Sequence, residues 1–329
     1  MKVSVCIPTF NQAAFIKQSI LSSYNQTVKP FEIIVFDDCS TDQTAEILQS
    51  LLIEVPSLRV FTQPNNTGIA RNVDACLRAA TGDFIVRLDS DDYLFPEYIE
   101  KLTRLLIENP QAGYAHASVQ EVDQHNNYLK LRQLARKSGF QNNDEALNAC
   151  AKGFRVAANI LTFRKSALIK AGYIATITNF AEDYYLVCSI AAEGFGNVYL
   201  NETLACYRVW VDTGKIRQRR KLDEIIGYRK LFTEILEPAY RARNWNTSVL
   251  DSKRADFACR HSDCLSWDIY TTNEKIELKK ELFHLSSSNR VKFCSWLYLN
   301  GLGGILTLFE QAKIAAKNKL KTLIRRAGN

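Results

Sequence analysis

A mostly parallel, doubly wound α/β sheet is predicted by three features of roughly the first hundred residues. Four short apolar runs, Val3 to Ile7, Phe31 to Phe36, Arg59 to Phe61 and Phe84 to Leu88, are separated by segments of amphipathic helical spacing. This alternation is the pattern of βαβ units, whose strands are covered on both faces. The residues directly after the runs are polar or acidic, and in open α/β sheets a ligand sits outside the carboxyl ends of the strands.

Taken in order, the first run ends in the turn Pro8-Thr9-Phe10-Asn11, whose short polar side chains and backbone N–H groups can face a ligand. The second ends in Asp37-Asp38, and Ser40 with Gln43 offers a capping box for the helix that follows. Thr67-Gly68 precedes a helix expected over Ile69 to Ala80, which Gly82 ends. The fourth run ends in Asp89-Ser90-Asp91-Asp92, and Pro96 suits the first turn of the next helix. Beyond about residue 110 the alternation fades. His116 to Val122, a turn at Asn126-Asn127 and Tyr128 to Leu131 then read as a hairpin flanking the main sheet. From about residue 221 the pattern is helical, with no glycine between Gly227 and Gly301.

With 47% hydrophobic and 23% charged residues, the chain is globular rather than disordered, with at most two folded units expected. Its nine cysteines are odd in number and set mostly in apolar runs, so they read as buried thiols of a reducing compartment, which implies a cytoplasmic protein. The N-terminus opens directly into an apolar strand, without the pattern of a secretory signal. The net charge of +7 is modest, but Lys and Arg concentrate at Lys215 to Lys221 and at Lys313 to Arg326, which suggests a local anionic partner and not a nucleic-acid duplex. The first cluster could form a lid over phosphates or remain a solvated loop. Cys259, His261 and Cys264 lack the pairing and the fourth ligand of a zinc site.

Near the C-terminus, Phe293 to Phe309 carries no charge but is short for a membrane span and is broken by Gly301, Gly303 and Gly304. The basic, amphipathic stretch after it suits either peripheral attachment to an anionic bilayer surface or a helix covering the core.

Asp89 and Asp91 at a strand end provide hard oxygen ligands for Mg²⁺ or Mn²⁺, leaving coordination positions for a diphosphate. The alternative is that Asp89, Asp91 and Asp92 merely cap the next turn and helix. Carboxylates packed so closely repel, and a cation is the simplest way to make the cluster tolerable. Of Asp37 and Asp38, one carboxylate could accept the N–H of a nucleobase while the other supports the turn; N-capping is the competing account.

The ordered segments VSVCIPTFNQ, EIIVFDDCSTDQT, NNTGIARN, GDFIVRLDSDDYLFP and FRKSALIKAGYI followed by AEDYYL resemble inverting glycosyltransferase family two across about the first 210 residues. The resemblance implies the GT-A fold. A nucleotide-binding half at about 1–110 and an acceptor half at about 111–220 would precede a helical C-terminal region, 221–329. It implies transfer of a sugar from a nucleotide-diphosphate sugar, most often a UDP-sugar, to a hydroxyl of a glycan or lipid-linked glycan in surface polysaccharide synthesis. Thr9 matches a donor-contacting position in a turn that includes Pro8 and Asn11. Asp38, supported by Asp37, matches the aspartate that hydrogen-bonds the base, and Arg71 an arginine near the nucleotide. Asp89, Ser90 and Asp91 match the Asp-x-Asp motif that binds donor and metal, Mn²⁺ or Mg²⁺, with Asp91 the more direct ligand. Asp183 matches the catalytic base and Glu182 its acidic neighbour. Tyr207-Arg208-Val209-Trp210 resembles a YRVH motif, with Trp210 where the family often has histidine; any contribution of that position to metal or diphosphate binding is thereby in doubt. The location expected is cytoplasmic, and the basic tail, where it attaches to a bilayer, would place the chain peripherally on the cytoplasmic face of the inner membrane.

Two other classes compete. A nucleotidyltransferase would share the Asp-x-Asp, but neither a GxxxxGK loop nor a GxGxxG turn is present. A non-catalytic nucleotide-sugar-binding or scaffold subunit would keep the sheet without needing Asp183.

Overall fold

The computed structural model describes residues 1–174, 182–210, 215–306 and 308, with backbone alone at 216 and 217. The chain divides into two compact units, Met1–Asp212 with Thr233–Arg243, and Thr213–Phe232 with Asn244–Asn329.

The first unit is built on a sheet of ten strands. β1 (Val3–Thr9), β2 (Glu32–Asp37), β3 (Leu58–Thr62) and β4 (Phe84–Arg87) lie side by side in the order β3-β2-β1-β4, all parallel. Every residue of β1 and β4 is buried, as expected of parallel strands covered on both faces. The connecting helices α1 (Ile16–Tyr24), α2 (Thr44–Glu54) and α3 (Ile69–Ala79) turn one stripe to the sheet, such as Ile16, Ser19, Ile20 and Ser23 of α1. Past the short β5 (Tyr93–Leu94) and α4 (Tyr98–Glu108), the sheet continues through β6 (Ala112–Val122), β7 (Tyr128–Arg132) and β8 (Gly139–Gln141). After α5 (Asn143–Cys150) come β9 (Leu161–Arg164), α6 (Lys165–Lys170), α7 (Glu182–Ala192) and the long β10 (Gly196–Arg208).

β9 runs antiparallel between β4 and β6, so β6 regains the direction of β4, and β10 pairs with β6 in parallel. The carboxyl ends of β1, β2, β4, β6 and β10 therefore lie along one edge, where the polar turns gather. Gly82 sets the approach of β4 to β1: a Cβ there would lie 2.8 Å from the Ser4 backbone nitrogen and 2.9 Å from the Lys2 carbonyl.

Expected elements recur with two differences of detail. The hairpin of β6 and β7 forms about Asn126, whose φ is +65°, with Asp123 accepting the N–H groups of His125 and Asn127. The capping box of Ser40 with Gln43 does not form. α2 begins at Thr44, whose N–H is taken at 3.0 Å by Asp42, while the Ser40 hydroxyl turns back to Asp37. Asp42 lies two residues before that N–H, closer than Ser40, and so takes it over. Pro96 lies ahead of the α4 N-cap, Glu97, rather than within the first turn, and its carbonyl accepts the Thr27 N–H at 2.8 Å.

The second unit is helical: α8 (Ile216–Arg219), α9 (Lys221–Lys230), α11 (Ser248–His261), α12 (Thr272–Leu285) and α13 (Asn289–Leu299). Between α9 and α11, a π-helical turn, Leu231–Leu236, leads into α10 (Glu237–Ala242), which belongs to the first unit. Leu250, Phe257, Leu278, Leu282, Val291 and Leu297 are buried. A capping box of Thr271 with Glu274 starts α12. Arg219 pairs with Glu274 at 3.4 Å and Lys221 with Glu224 at 2.5 Å, so these two cations of the basic cluster are engaged within the unit. His261 Nδ1 lies 3.2 Å from Lys221 Nζ. No helix among the described residues is long and apolar enough to cross a membrane. The basic stretch from Lys313 to Arg326 lies outside the described residues.

Candidate active site

The turns after β1 and β2 are locked to each other. Asn11, with φ +51°, donates its N–H to the Ser40 hydroxyl at 2.9 Å and accepts the Thr41 N–H at 2.8 Å. Pro8 is still in strand register, paired with Phe36. The Thr9 carbonyl accepts the Asp38 N–H at 2.9 Å, and the buried Thr9 hydroxyl has no partner. Asn72 bridges the strand ends by donating to the Phe36 carbonyl at 2.8 Å. Asp37 accepts the N–H and hydroxyl of Ser40, which shapes the turn.

Asp38 is 2% exposed and spends both carboxylate oxygens on the entry to α3. It accepts the Thr67 N–H and hydroxyl, each at 2.8 Å, and the Gly68 N–H at 2.9 Å. Gly68 has φ +88°, a conformation that favours glycine. Arg71, one helical turn on, is exposed.

The acidic turn after β4 is held from three sides. The Ser19 hydroxyl of α1 donates to the carbonyls of Ser90 and Asp92. Arg208, at the end of β10, is 1% exposed and fully bonded. Its N–H goes to the Asp92 carboxylate at 2.7 Å, its Nε to the Asp91 carbonyl at 2.8 Å and its Nη1 to the Asp123 carbonyl at 2.6 Å; its Nη2 reaches Gln18 and Asn126. Trp210 donates its indole N–H to Asp91 Oδ2 at 2.5 Å and meets Phe15 edge-on. Asp89 accepts from Asn159 and from Arg87. Burial, then the Asp89 charge, raise the Asp91 carboxyl above its usual range, with the Trp210 N–H acting in the opposite sense. Asp92 is pushed well up by burial and by Asp91 and Asp89, and its Oδ2 is buried without a partner.

Arg87, the last residue of β4, joins this turn to the start of α7. Its Nε lies 3.3 Å from Asp89 Oδ1 and its Nη2 2.9 Å from Glu182 Oε1, while its buried Nη1 has no partner. Burial alone would lower the Arg87 pKa, but the charges of Asp89, Glu182 and Asp183 raise it. Asp183 accepts the Tyr184 N–H at 2.6 Å. Its carboxyl is pushed up to about 7, by burial first and by Glu182 next, against the opposing pull of Arg87 and that N–H.

Arg87, Asn159 and Asn72 are the residues of this region that the motif pattern does not single out. For Arg87 the signal is a charge inside the apolar run Phe84-Ile85-Val86-Arg87-Leu88, which demands a buried partner. Asn159 and Asn72 give no comparable signal.

A mostly parallel α/β sheet carrying an Asp-x-Asp turn at its carboxyl edge, continued by an antiparallel-flanked second half and a helical C-terminal region, is the architecture of GT-A glycosyltransferases. The profile of glycosyl transferase family 2 matches residues 4–169, half of the chain, and the chain belongs to that family. It is 31% identical over 138 residues to an uncharacterized glycosyltransferase of Haemophilus influenzae, covering 42% of this chain and 55% of that one. It is 35% identical over 116 residues to the GalNAc(5)-diNAcBac-PP-undecaprenol beta-1,3-glucosyltransferase of Campylobacter jejuni, covering 35% and 36%. The chain thus spans about half or less of the length of these relatives. The crystal structure of S. aureus TarS 1-349 shares the fold over 95% of this chain and 92% of that one, with TM-score 0.68 and 16% identity. Its complex with UDP-GlcNAc aligns with TM-score 0.57 and 17% identity, over 92% of each chain.

Proposed function

We propose that this protein transfers one sugar, with inversion, from a UDP-sugar to a hydroxyl of a glycan or lipid-linked glycan, with Asp183 as the base. The observation that carries the proposal is a pair of acidic groups joined through one buried arginine at the end of β4. One group holds Asp89 and Asp91; the other holds a carboxyl, Asp183, whose proton is exchanged near neutrality. A base works best with a pKa near the working pH.

In this mechanism the acceptor hydroxyl loses its proton to Asp183 as its oxygen bonds to the anomeric carbon, and the bond from that carbon to the diphosphate oxygen breaks on the opposite face. The turns that carry Thr9, Asn11 and Asp38 bind the nucleotide, with the unpartnered Thr9 hydroxyl free to meet it. Asp38 can accept from a base only by sharing or giving up its bonds to Thr67 and Gly68. Arg71, exposed on α3, supplies positive charge near the phosphates.

The residues present fit a divalent cation. Among the described residues no group of three or more His, Cys, Asp or Glu side chains is arranged to hold one alone. Mg²⁺ and Mn²⁺, however, commonly take one or two carboxylates and complete their shell with phosphate oxygens and water. Asp91 and Asp89 provide that partial shell, and beside them Asp92 keeps a buried carboxylate oxygen without a partner, with burial and the neighbouring acids raising the Asp91 and Asp92 carboxyls against the opposing charge of Arg208. When bound, the cation would offset charge on the departing diphosphate.

The test is binding and turnover across UDP-, GDP- and TDP-sugars with Mn²⁺ or Mg²⁺. One UDP-sugar should bind in a metal-dependent way; Asp91→Ala should lose that binding, and Asp183→Asn should keep it while turnover falls about 100-fold or more. Transfer of a nucleotide instead of a sugar would select the nucleotidyltransferase reading, and absence of any nucleotide-sugar binding the scaffold reading. The name of the C. jejuni relative, with its diphosphate-undecaprenol acceptor, supports an acceptor on a lipid carrier.

We further propose peripheral attachment to an anionic membrane surface on the cytoplasmic side. It is supported by the exposed Phe293, Trp296 and Leu299 of α13 and by the basic sequence after them. Co-sedimentation with anionic vesicles should weaken several-fold in Phe293→Ser/Trp296→Ser; an unchanged bound fraction removes α13 from the attachment.

A further inference from the structure

The base-bearing helix begins with two adjacent acids, and the structure treats them differently. Three carboxylates, those of Asp89, Glu182 and Asp183, act on a single buried guanidinium, Arg87. Two of them are ion-paired to it, Glu182 at 2.9 Å and Asp89 at 3.3 Å, whereas Asp183 makes no ion pair among the described residues. One cation cannot neutralise three acids, and Asp183, the one that Arg87 does not pair with, is the one left to exchange a proton. An arginine is suited to this post because its planar fork reaches two carboxylates at once, which a lysine ammonium cannot do with the same geometry. A contrast within the molecule separates this from scaffolding: Arg208, equally buried, has every guanidinium nitrogen bonded, whereas Arg87 keeps Nη1 unpartnered.

We propose that Arg87 is a positioning residue that assigns the roles of the two acids. By pairing with Glu182 it leaves Asp183 to take the acceptor's proton, and through Asp89 it fixes the base-bearing helix to the Asp-x-Asp turn. This rests on the glycosyltransferase reading above. The groups that act on Asp183 are Glu182 beside it on α7, Arg87 from β4, Asp89 from the turn after β4 and the Tyr184 N–H.

The experiment uses the full chain, its UDP-sugar and Mn²⁺, with Arg87→Met, Arg87→Lys and Glu182→Gln. UDP affinity is read by calorimetry, and kcat, KM and the acid limb of the kcat–pH profile by transfer assay. In Arg87→Met, UDP should bind within about 3-fold of wild type while kcat falls about 100-fold, the scale of a displaced general base. Its acid limb should move to higher pH, because the cation is gone; Arg87→Lys should bring both partly back. In Glu182→Gln the limb should move the other way, since the neighbouring negative charge is lost.

If Arg87→Met does not fold, the opposite displacements in Arg87→Lys and Glu182→Gln decide the matter. Acid limbs that stay put in every folded variant, or a kcat of Arg87→Met within about 3-fold of wild type, overturn the role of Arg87. A wild type that neither binds UDP nor turns over any nucleotide sugar overturns the reading beneath it instead.

Discussion

Trp210 has an indole N–H that donates and cannot ligate, so at this position the chain carries a donor where a histidine would offer a ring nitrogen. Its N–H occupies Asp91 Oδ2, so a cation that used this oxygen would compete with it. Trp210→Phe should therefore bind Mn²⁺ in the presence of UDP about 3- to 10-fold more tightly, since a hydrogen bond to a charged group contributes about 1.5–3 kcal/mol and part is regained from water. Isothermal calorimetry reads this directly, and equal affinities would mean that Asp91 coordinates through its other oxygen.

Asp183 gives a second prediction at this scale. Its carboxyl keeps its proton up to about 7 in the folded chain, whereas an unfolded aspartate releases it near ~3.9. Between those values the folded state binds more protons, so stability falls as pH rises from about 4 to about 7. Asp183→Asn removes this dependence, and its stability relative to wild type should be greater at pH 8 than at pH 4 by on the order of 2–4 kcal/mol. Urea titrations at the two pH values measure it. The motif pattern made both residues visible, since each stands in a recognisable segment. It could not show that Asp38 turns its carboxylate to Thr67 and Gly68, because that choice depends on a contact across 29 and 30 residues.

At the scale of elements, β1, β2 and β4 were legible because each is a short run buried on both faces, whereas β3, at the end of the strand order, keeps only Leu58 buried and was marked by its place in the alternation. Helix starts were less so: Ser40 and Asp42 both suit a cap, and only the path of the turn after β2 decides between them. The strongest structural tie at this level is the end of β10, where Arg208 joins the acidic turn to α1 and to the β6–β7 hairpin. Arg208→Met should lower stability by about 3 kcal/mol, because several buried acceptors lose their donor at once, and should lower the melting temperature accordingly. Gly82→Ala should destabilise by about 1–3 kcal/mol through its clash with the Ser4 and Lys2 backbone, a packing effect with no charge involved. A thermal melt of each variant measures the two losses.

Across the whole molecule, the sheet direction was readable in its first half and not in its second. The parallel pairing of β6 with β10 joins strands some eighty residues apart, and β9 intervenes between β4 and β6 without any sequence cue to its place. The contact from Arg87 to Glu182 spans 95 residues and belongs to the same class of information. Local periodicity reports burial along one element, whereas a site assembled from five strand ends is a property of topology.

The indole above Asp91 also has an optical consequence. The chain contains four tryptophans, and Trp210 donates to the acidic turn. Its emission depends on how polar its surroundings are and on quenchers nearby, so a paramagnetic ion arriving at Asp91 would dim it. The difference between wild type and Trp210→Phe isolates that signal from the other three tryptophans. The protein thus carries its own lamp at the point where the donor is expected to dock, and occupancy can be followed in real time without a label.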